Sequence, residues 1–357
     1  MATVERTPQG ATSVPGVVPE EESLLPPDGG GEPLLRVQDL RTFFATPAGV
    51  VRAVDGVSFD LYPGETFGIV GESGSGKSVT CRSLIGLLPS PPAYTTGTVL
   101  YQGRNLVALS TRQMQAVRGA HIAMIFQDPM TSLNPVMRVG DQIAEALEAH
   151  TKQRRAARRK AALDLMRRVG IPLAERRMND YPHQFSGGMR QRVLIAIALA
   201  CTPRILLADE PTTALDVTIQ DQILSLLLQL QRDVGMTVVL VSHDLGVIAQ
   251  TCTRVAVMYA GQIVELADTQ TLLTRPRHPY TVGLLRSLPG RDTSSRYLTP
   301  IPGAPPWPID PPPGCRFYER CALCTDECRS WSTALLPLGP GHMARCRRHD
   351  HVEDLYE

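Results

Sequence analysis

Lysine is almost missing from this 357-residue chain: of its 36 basic residues only Lys77, Lys152 and Lys160 are lysines, the rest arginine. Genome composition explains such a bias before function does, and it leaves Lys77 conspicuous. Net charge is equally scarce, at +1, which removes any global case for a nucleic-acid or anionic-membrane binder. No apolar run approaches the roughly 18 to 20 residues that cross a bilayer. The longest, "VLIAIALA" and "MTVVLVS", suit buried elements. The N-terminus lacks a basic start followed by an apolar stretch, so no secretory signal is read and a cytosolic location is expected. In that reducing setting the clustered cysteines, Cys315, Cys321, Cys324, Cys328 and Cys346, point to metal or redox chemistry more than to structural bridges.

With 43% hydrophobic and 20% charged residues, the chain can bury one large core and carry an appendage. Residues 1–33, rich in Pro, Gly and Glu, are expected to form a disordered tail. From Leu34, "LLRVQDLRTFF", "VVRAVDGVSFDLY" and "GTVLYQG" read as strands of an antiparallel subdomain. "ETFGIV" is then a buried strand that enters a glycine loop, and "KSVTCRSLIGLL" is a helix. A helical insertion is expected over about 131–200, and "RILLAD", "MTVVLVS" and "RVAVMY" are short buried strands separated by helices. The fold class is therefore α/β, with a parallel sheet over 34–277. A Pro-rich, loop-rich extension follows over 278–357, read as separate. No internal repeat of the nucleotide-binding type is read, so one such domain is expected.

"GESGSGKS", Gly71 to Ser78, fits the phosphate-binding pattern G-x-x-x-x-G-K-[ST]. Backbone N–H groups across Gly71, Ser73, Gly74, Ser75 and Gly76, and on to Val79, can turn inward on phosphates. Lys77 adds a cation and Ser78 a Mg²⁺ ligand. "RILLADEP" places Asp209 at a strand end, where it can hold Mg²⁺ through water, and Glu210 beside it to polarise an attacking water. "FSGGMRQR" opens a helix with Ser186, Gly187 and Gly188, followed by Gln191, a second anion-receptive terminus. Gln127 in "FQDP", Asp216 in "ALD" (Ala214–Asp216) and His243 in "VSHD" complete the set.

These words, in this order over about Leu34 to Leu266, resemble the ATP-binding subunits of ABC transporters. The resemblance implies a phosphate-loop NTPase fold in which two domains face head to tail with two ATP molecules between them. Lys77 and Ser78 of one domain would then face Ser186 and Gly188 of the other, with Asp216 and the rest of the signature at the dimer interface. Phe44, next to Phe43, would stack on adenine, and His243 would hold the γ-phosphate. Gln127, a Mg²⁺ ligand with Ser78 and Asp209, would sense the attacking water and relay to the membrane subunits.

"YPHQFSGGMRQR", "FQDPMTSLNP", "PTTALDVTIQ" and "RPRHPYTVGLLRSLP" are similar to the dipeptide, oligopeptide and nickel importer branch, and "DPMTSLNP" to the first of its two paralogous ATPases. The branch implies a heterodimer with a paralogous ATPase, two permease subunits and an extracytoplasmic solute-binding protein, on the cytoplasmic face of the membrane. Nickel or another small solute is the alternative cargo. A soluble ABC ATPase and a redox-regulatory subunit are the readings from other classes. The branch also implies that Cys315, Cys321, Cys328 and Cys346 hold a four-iron four-sulfur cluster. Zinc, or free or disulfide-bonded thiols, are the alternatives, and Cys324 is a departure from the pattern. Cys81, Cys201 and Cys252 read as small core residues. The basic run "KQRRAARRK" lacks aromatics and reads as a solvated helix face, not a nucleic-acid site.

Overall fold

The computed structural model describes residues 31–213, 215–288, 300–331 and 334–355. Residues 1–30, and so nearly all of the expected tail, lie outside the described residues, as does Ala214. Two antiparallel strands, β1 (Leu35–Thr46) and β2 (Gly49–Leu61), lead to β3 (Thr66–Val70) and helix α1 (Lys77–Leu84). The chain returns through β4 (Ala93–Tyr101) and β5 (Arg104–Asn105), so the first sheet has the order β2–β1–β4–β5. Its inner face follows alternation offset by a β-bulge between Val37 and Leu40, so that Leu35, Val37 and Leu40 of β1 are buried with Val54, Val57 and Phe59 of β2 in one core.

Helix α2 (Thr111–Val117) and strand β6 (Ile122–Ile125) precede five helices, α3 (Pro129–Ser132), α4 (Val139–His150), α5 (Arg155–Arg168), α6 (Ala174–Arg177) and α7 (Gly187–Leu199). These share their own core, including Ile143, Met166, Val169, Phe185 and Val193. In the basic run Arg158 pairs with Glu148 at 2.8 Å and Arg159 with Asp141 at 3.1 Å, so its charge is partly answered within the helical layer. The chain then re-enters the sheet as β7 (Ile205–Asp209), α8 (Val217–Val234), β8 (Thr237–Ser242), α9 (Leu245–Thr251), β9 (Arg254–Tyr259) and β10 (Gln262–Asp268).

Strands β9, β3, β8, β7 and β6 are parallel neighbours in that order. All residues of β3, β7 and β9 are buried, which is why these strands read as continuous apolar runs without alternation. Phe59 and Phe67 stack at 5.1 Å between the two sheets, and each contributes on the order of 1.5–3 kcal/mol through burial.

Beyond 278 the chain is less separate than its composition suggests. After α10 (Thr269–Thr274) come α11 (Pro279–Arg286) and a hairpin of β11 (Leu336–Gly339) and β12 (His342–Ala344). Strand β12 pairs with β10, Glu265 opposite Ala344, so the extension completes an eight-stranded sheet. Strands of three and four residues carrying Pro337 and Gly339 are too short to show a period of two.

His278 caps α11: its Nδ1 accepts from the Tyr280 N–H at 3.1 Å. That geometry needs the neutral ring, and burial, helped by Arg345, lowers its pKa from 6.5 to about 3. The unfolded chain takes up this proton below about 6.5 and the folded chain does not until about 3. This share of stability is therefore complete above 6.5 and is lost as pH falls, at up to about 1.4 kcal/mol per pH unit. His278→Asn keeps a cap acceptor and removes the titration. Denaturant titrations between pH 7 and 4 are expected to show a shallower loss of stability in the variant. Parallel slopes would contradict the assignment.

Candidate active site

The phosphate loop is held by its packing. A Cβ on Gly71 would lie 2.1 Å from the Met258 carbonyl oxygen, and one on Gly76, whose φ is +102°, 2.4 Å from that of Ala53. Only glycine lets the loop press between β9 and β2. Ser73 and Gly74 are exposed at the tip, while Ser75 is buried with its hydroxyl unpartnered, and Val79 is half-buried in the first turn of α1. Lys77 is 5% exposed and its Nζ donates to the carbonyls of Gly71 (2.8 Å) and Glu72 (2.9 Å). Burial lowers its pKa, and Glu210, Asp209 and Glu72 oppose that shift, so three carboxylates surround one ammonium.

Strand β7 delivers the acidic pair. Asp209 is fully buried; its Oδ1 accepts from Ser78 Oγ at 2.7 Å, and its Oδ2 has no hydrogen bond, with Arg82 at 3.9 Å. Burial raises its pKa and the Ser78 hydrogen bond lowers it. A buried, half-satisfied carboxylate beside a serine hydroxyl has the donor chemistry of a Mg²⁺ site, and Ser78 and Asp209 fit the ion.

Glu210 sits at φ +46°, a left-handed conformation that costs a non-glycine residue on the order of 1–3 kcal/mol. Its Oε2 accepts from Gln127 Nε2 at 2.9 Å and from Thr213 Oγ1 at 2.9 Å, and His243 Nδ1 lies 3.4 Å away. Gln127, Glu210 and His243, chosen from separate sequence words, are thus brought together at one carboxylate oxygen. Thr213 was missed, although its place three residues after Glu210 in "DEPTT" is a usable signal.

The signature residues belong to a different part of the chain. Ser186 caps α7, accepting from the Met189 N–H at 3.4 Å, and Asp216 caps α8, accepting from that of Ile219 at 3.0 Å. The two caps are neighbours, because a Cβ on Gly188 would lie 2.6 Å from Ile219 and one on Gly187 3.4 Å from Leu215. Gln191 is 1% exposed, with neither side-chain polar atom bonded. On β1, Thr42 bonds Ser83 of α1 at 2.7 Å, Phe43 lies under the Arg52 guanidinium at 5.9 Å, and Phe44 is half-buried opposite Ala93. Phe43 is thus engaged by its own strand pair.

The metal cluster expected at Cys315, Cys321, Cys328 and Cys346 is corrected by the structure. These thiols and Cys324 line one cavity, but its volume is only about 20 Å³, room for one water and not for a cubane. Among the described residues no group of three or more His, Cys, Asp or Glu side chains is placed to hold a metal ion. Burial also pushes the Cys321 and Cys346 thiols up to about 12 and raises Cys315, so without a metal these side chains are neutral thiols. Neither iron–sulfur nor zinc fits these side chains as placed.

A parallel sheet with a phosphate loop at the end of β3, an Asp–Glu pair at the end of β7 and a signature helix in an inserted helical layer defines an ATP-binding cassette. The ABC transporter family model matches residues 54–213, and the model for the oligopeptide/dipeptide transporter C-terminal region matches 264–328. A dimeric post-hydrolysis ATP-binding cassette bound to ADP and Pi, MJ0796, superposes with a TM-score of 0.59 at 29% identity, covering 66% of this chain and 98% of that one. The dipeptide transport ATP-binding protein DppD of Bacillus subtilis is 56% identical over 81% of this chain and 87% of its own. The oligopeptide transport ATP-binding protein OppD of the same organism is 55% identical over 80% and 81%. DppD of Escherichia coli is 47% identical over 88% and 96%. The chain belongs to the ABC transporter ATP-binding proteins, in the branch with these peptide-transport ATPases.

Proposed function

We propose that this chain is the ATP-hydrolysing subunit of a peptide importer. The observation that carries the reading is the meeting of Gln127, Thr213 and His243 on Glu210 Oε2, next to the Lys77, Ser78 and Asp209 group. Lys77 and the loop N–H groups bind the triphosphate. Glu210 takes a proton from water as the water oxygen bonds to the γ-phosphorus and the β–γ bridge breaks. Ser78, Asp209 and Gln127 would hold Mg²⁺, which neutralises charge on the phosphates when bound. His243 and Thr213 orient the Glu210 carboxylate.

The chain works with permease and solute-binding subunits, and we assign it a paralogous ATPase partner across a head-to-tail interface. There Ser186, Gly187, Gly188, Gln191 and Asp216 of one subunit complete the site of the other, and Phe44 stacks on adenine. Residues 34–277 form the nucleotide-binding unit and 278–357 its extension. Among the described residues no helix is long and apolar enough to cross a membrane. We place attachment at the cytoplasmic face, through the permeases.

Proteoliposomes carrying the assembled transporter and its binding protein test this reading. ATP inside is expected to drive uptake of labelled dipeptides or oligopeptides, well above uptake of nickel. Active ATP hydrolysis with no uptake of any peptide would overturn the peptide assignment.

A further inference from the structure

We propose that Arg320 of the C-terminal extension is a positioning residue for the phosphate loop, acting with Tyr280 through Glu72, so that the extension sets how tightly ATP is held. Glu72 occupies a position that the phosphate-loop pattern leaves open, yet its polar groups are engaged from several sides. The Arg320 guanidinium grips its carboxylate with two parallel bonds, Nη1 to Oε2 at 2.9 Å and Nη2 to Oε1 at 3.0 Å. The Glu72 N–H donates to the Tyr280 hydroxyl at 2.8 Å, and its carbonyl accepts from Lys77 Nζ at 2.9 Å and the Ser75 N–H at 3.2 Å. One residue therefore links the extension to the phosphate-binding lysine.

The grip is built from rigid parts. The Arg320 side chain is 5% exposed; its Nε donates to the Pro302 carbonyl at 2.8 Å, and its plane lies over Tyr259 at 5.6 Å and Phe317 at 5.8 Å. Tyr259, Tyr280 and Phe317 pack on one another with ring centroids 4.7 to 5.4 Å apart. Arg320 immediately precedes Cys321, so the segment lining the cysteine cavity is the one that reaches the loop. A bidentate Arg–carboxylate pair with its guanidinium buried fixes direction as well as distance, which a lysine does not reproduce. Without it the loop samples conformations in which its N–H groups diverge, and ATP must order it on binding.

The inference rests on Gly71–Ser78 being the ATP site. It is tested on the full chain in the assembled transporter, by steady-state hydrolysis of MgATP. Glu72→Gln is expected to raise KM about tenfold while kcat stays within about twofold, and Arg320→Gln to do the same. The double variant is expected to be no worse than either single one, because both break one pair. Arg320→Lys should fall between. If Arg320→Gln does not assemble, Glu72→Gln on the more exposed loop side decides alone. An unchanged KM in Glu72→Gln, a loss confined to kcat, or effects that multiply in the double variant would overturn the proposal. Lys77→Ala separates the two readings: if it weakens ATP binding while Glu72→Gln does not, the positioning role fails and the ATP site stands.

Discussion

Glu210→Gln is expected to leave ATP bound and turnover almost gone. The carboxylate is the one group at the site that is buried to 13% exposure, held in a left-handed backbone conformation and met by three polar side chains at a single oxygen. A glutamine keeps the size and still accepts from Gln127 and Thr213 through its carbonyl, so the local fold should persist. It does not take the proton of the attacking water. Loss of general-base assistance typically costs about 10² to 10⁴ in rate, and kcat of the assembled transporter is expected to fall within that range. Because bound ATP is no longer consumed, the closed form of the ATPase pair should accumulate. Near-normal turnover by this variant would remove Glu210 from the role.

Lys77→Ala is expected to act at the earlier step. Lys77 is the only lysine in the phosphate loop and is almost fully buried, with its ammonium facing Asp209, Glu210 and Glu72. Its removal takes a cation from the phosphates and leaves a carboxylate cluster that repels them. Charge-assisted hydrogen bonds contribute about 1.5–3 kcal/mol each, so ATP affinity should fall at least roughly ten- to a hundredfold. A fluorescent ATP analogue reads this directly. Affinity within twofold of the unaltered chain would mean that Gly71–Ser78 is not the nucleotide site.

Much of this site is legible because its chemistry sits in short contiguous words at the ends of buried strands. Lys77 follows β3, Asp209 ends β7 with Glu210 just after it, and His243 follows β8. A parallel sheet brings such ends to one edge, so identifying the strands already places the residues together. Other features escape for physical reasons. Arg320 and Glu72 are 248 positions apart, and a single ion pair leaves no periodicity in sequence. The hairpin β11–β12 is hidden by its shortness. The cysteines mislead in the opposite direction: spacing says which thiols are near in sequence, but their burial and the volume between them depend on how the extension folds back on itself and on β10. A motif fixes identity at a position, whereas ligation depends on packing around it.

We propose that this chain burns ATP at the Lys77–Glu210 site in response to peptide. Phosphate release by the complete transporter, with and without its peptide-loaded binding protein, measures that response. A low basal rate is expected to rise severalfold when peptide-loaded binding protein is added, with no such rise when Glu210→Gln replaces the unaltered chain. A rate that is indifferent to peptide, or a rise that survives Glu210→Gln, would contradict it.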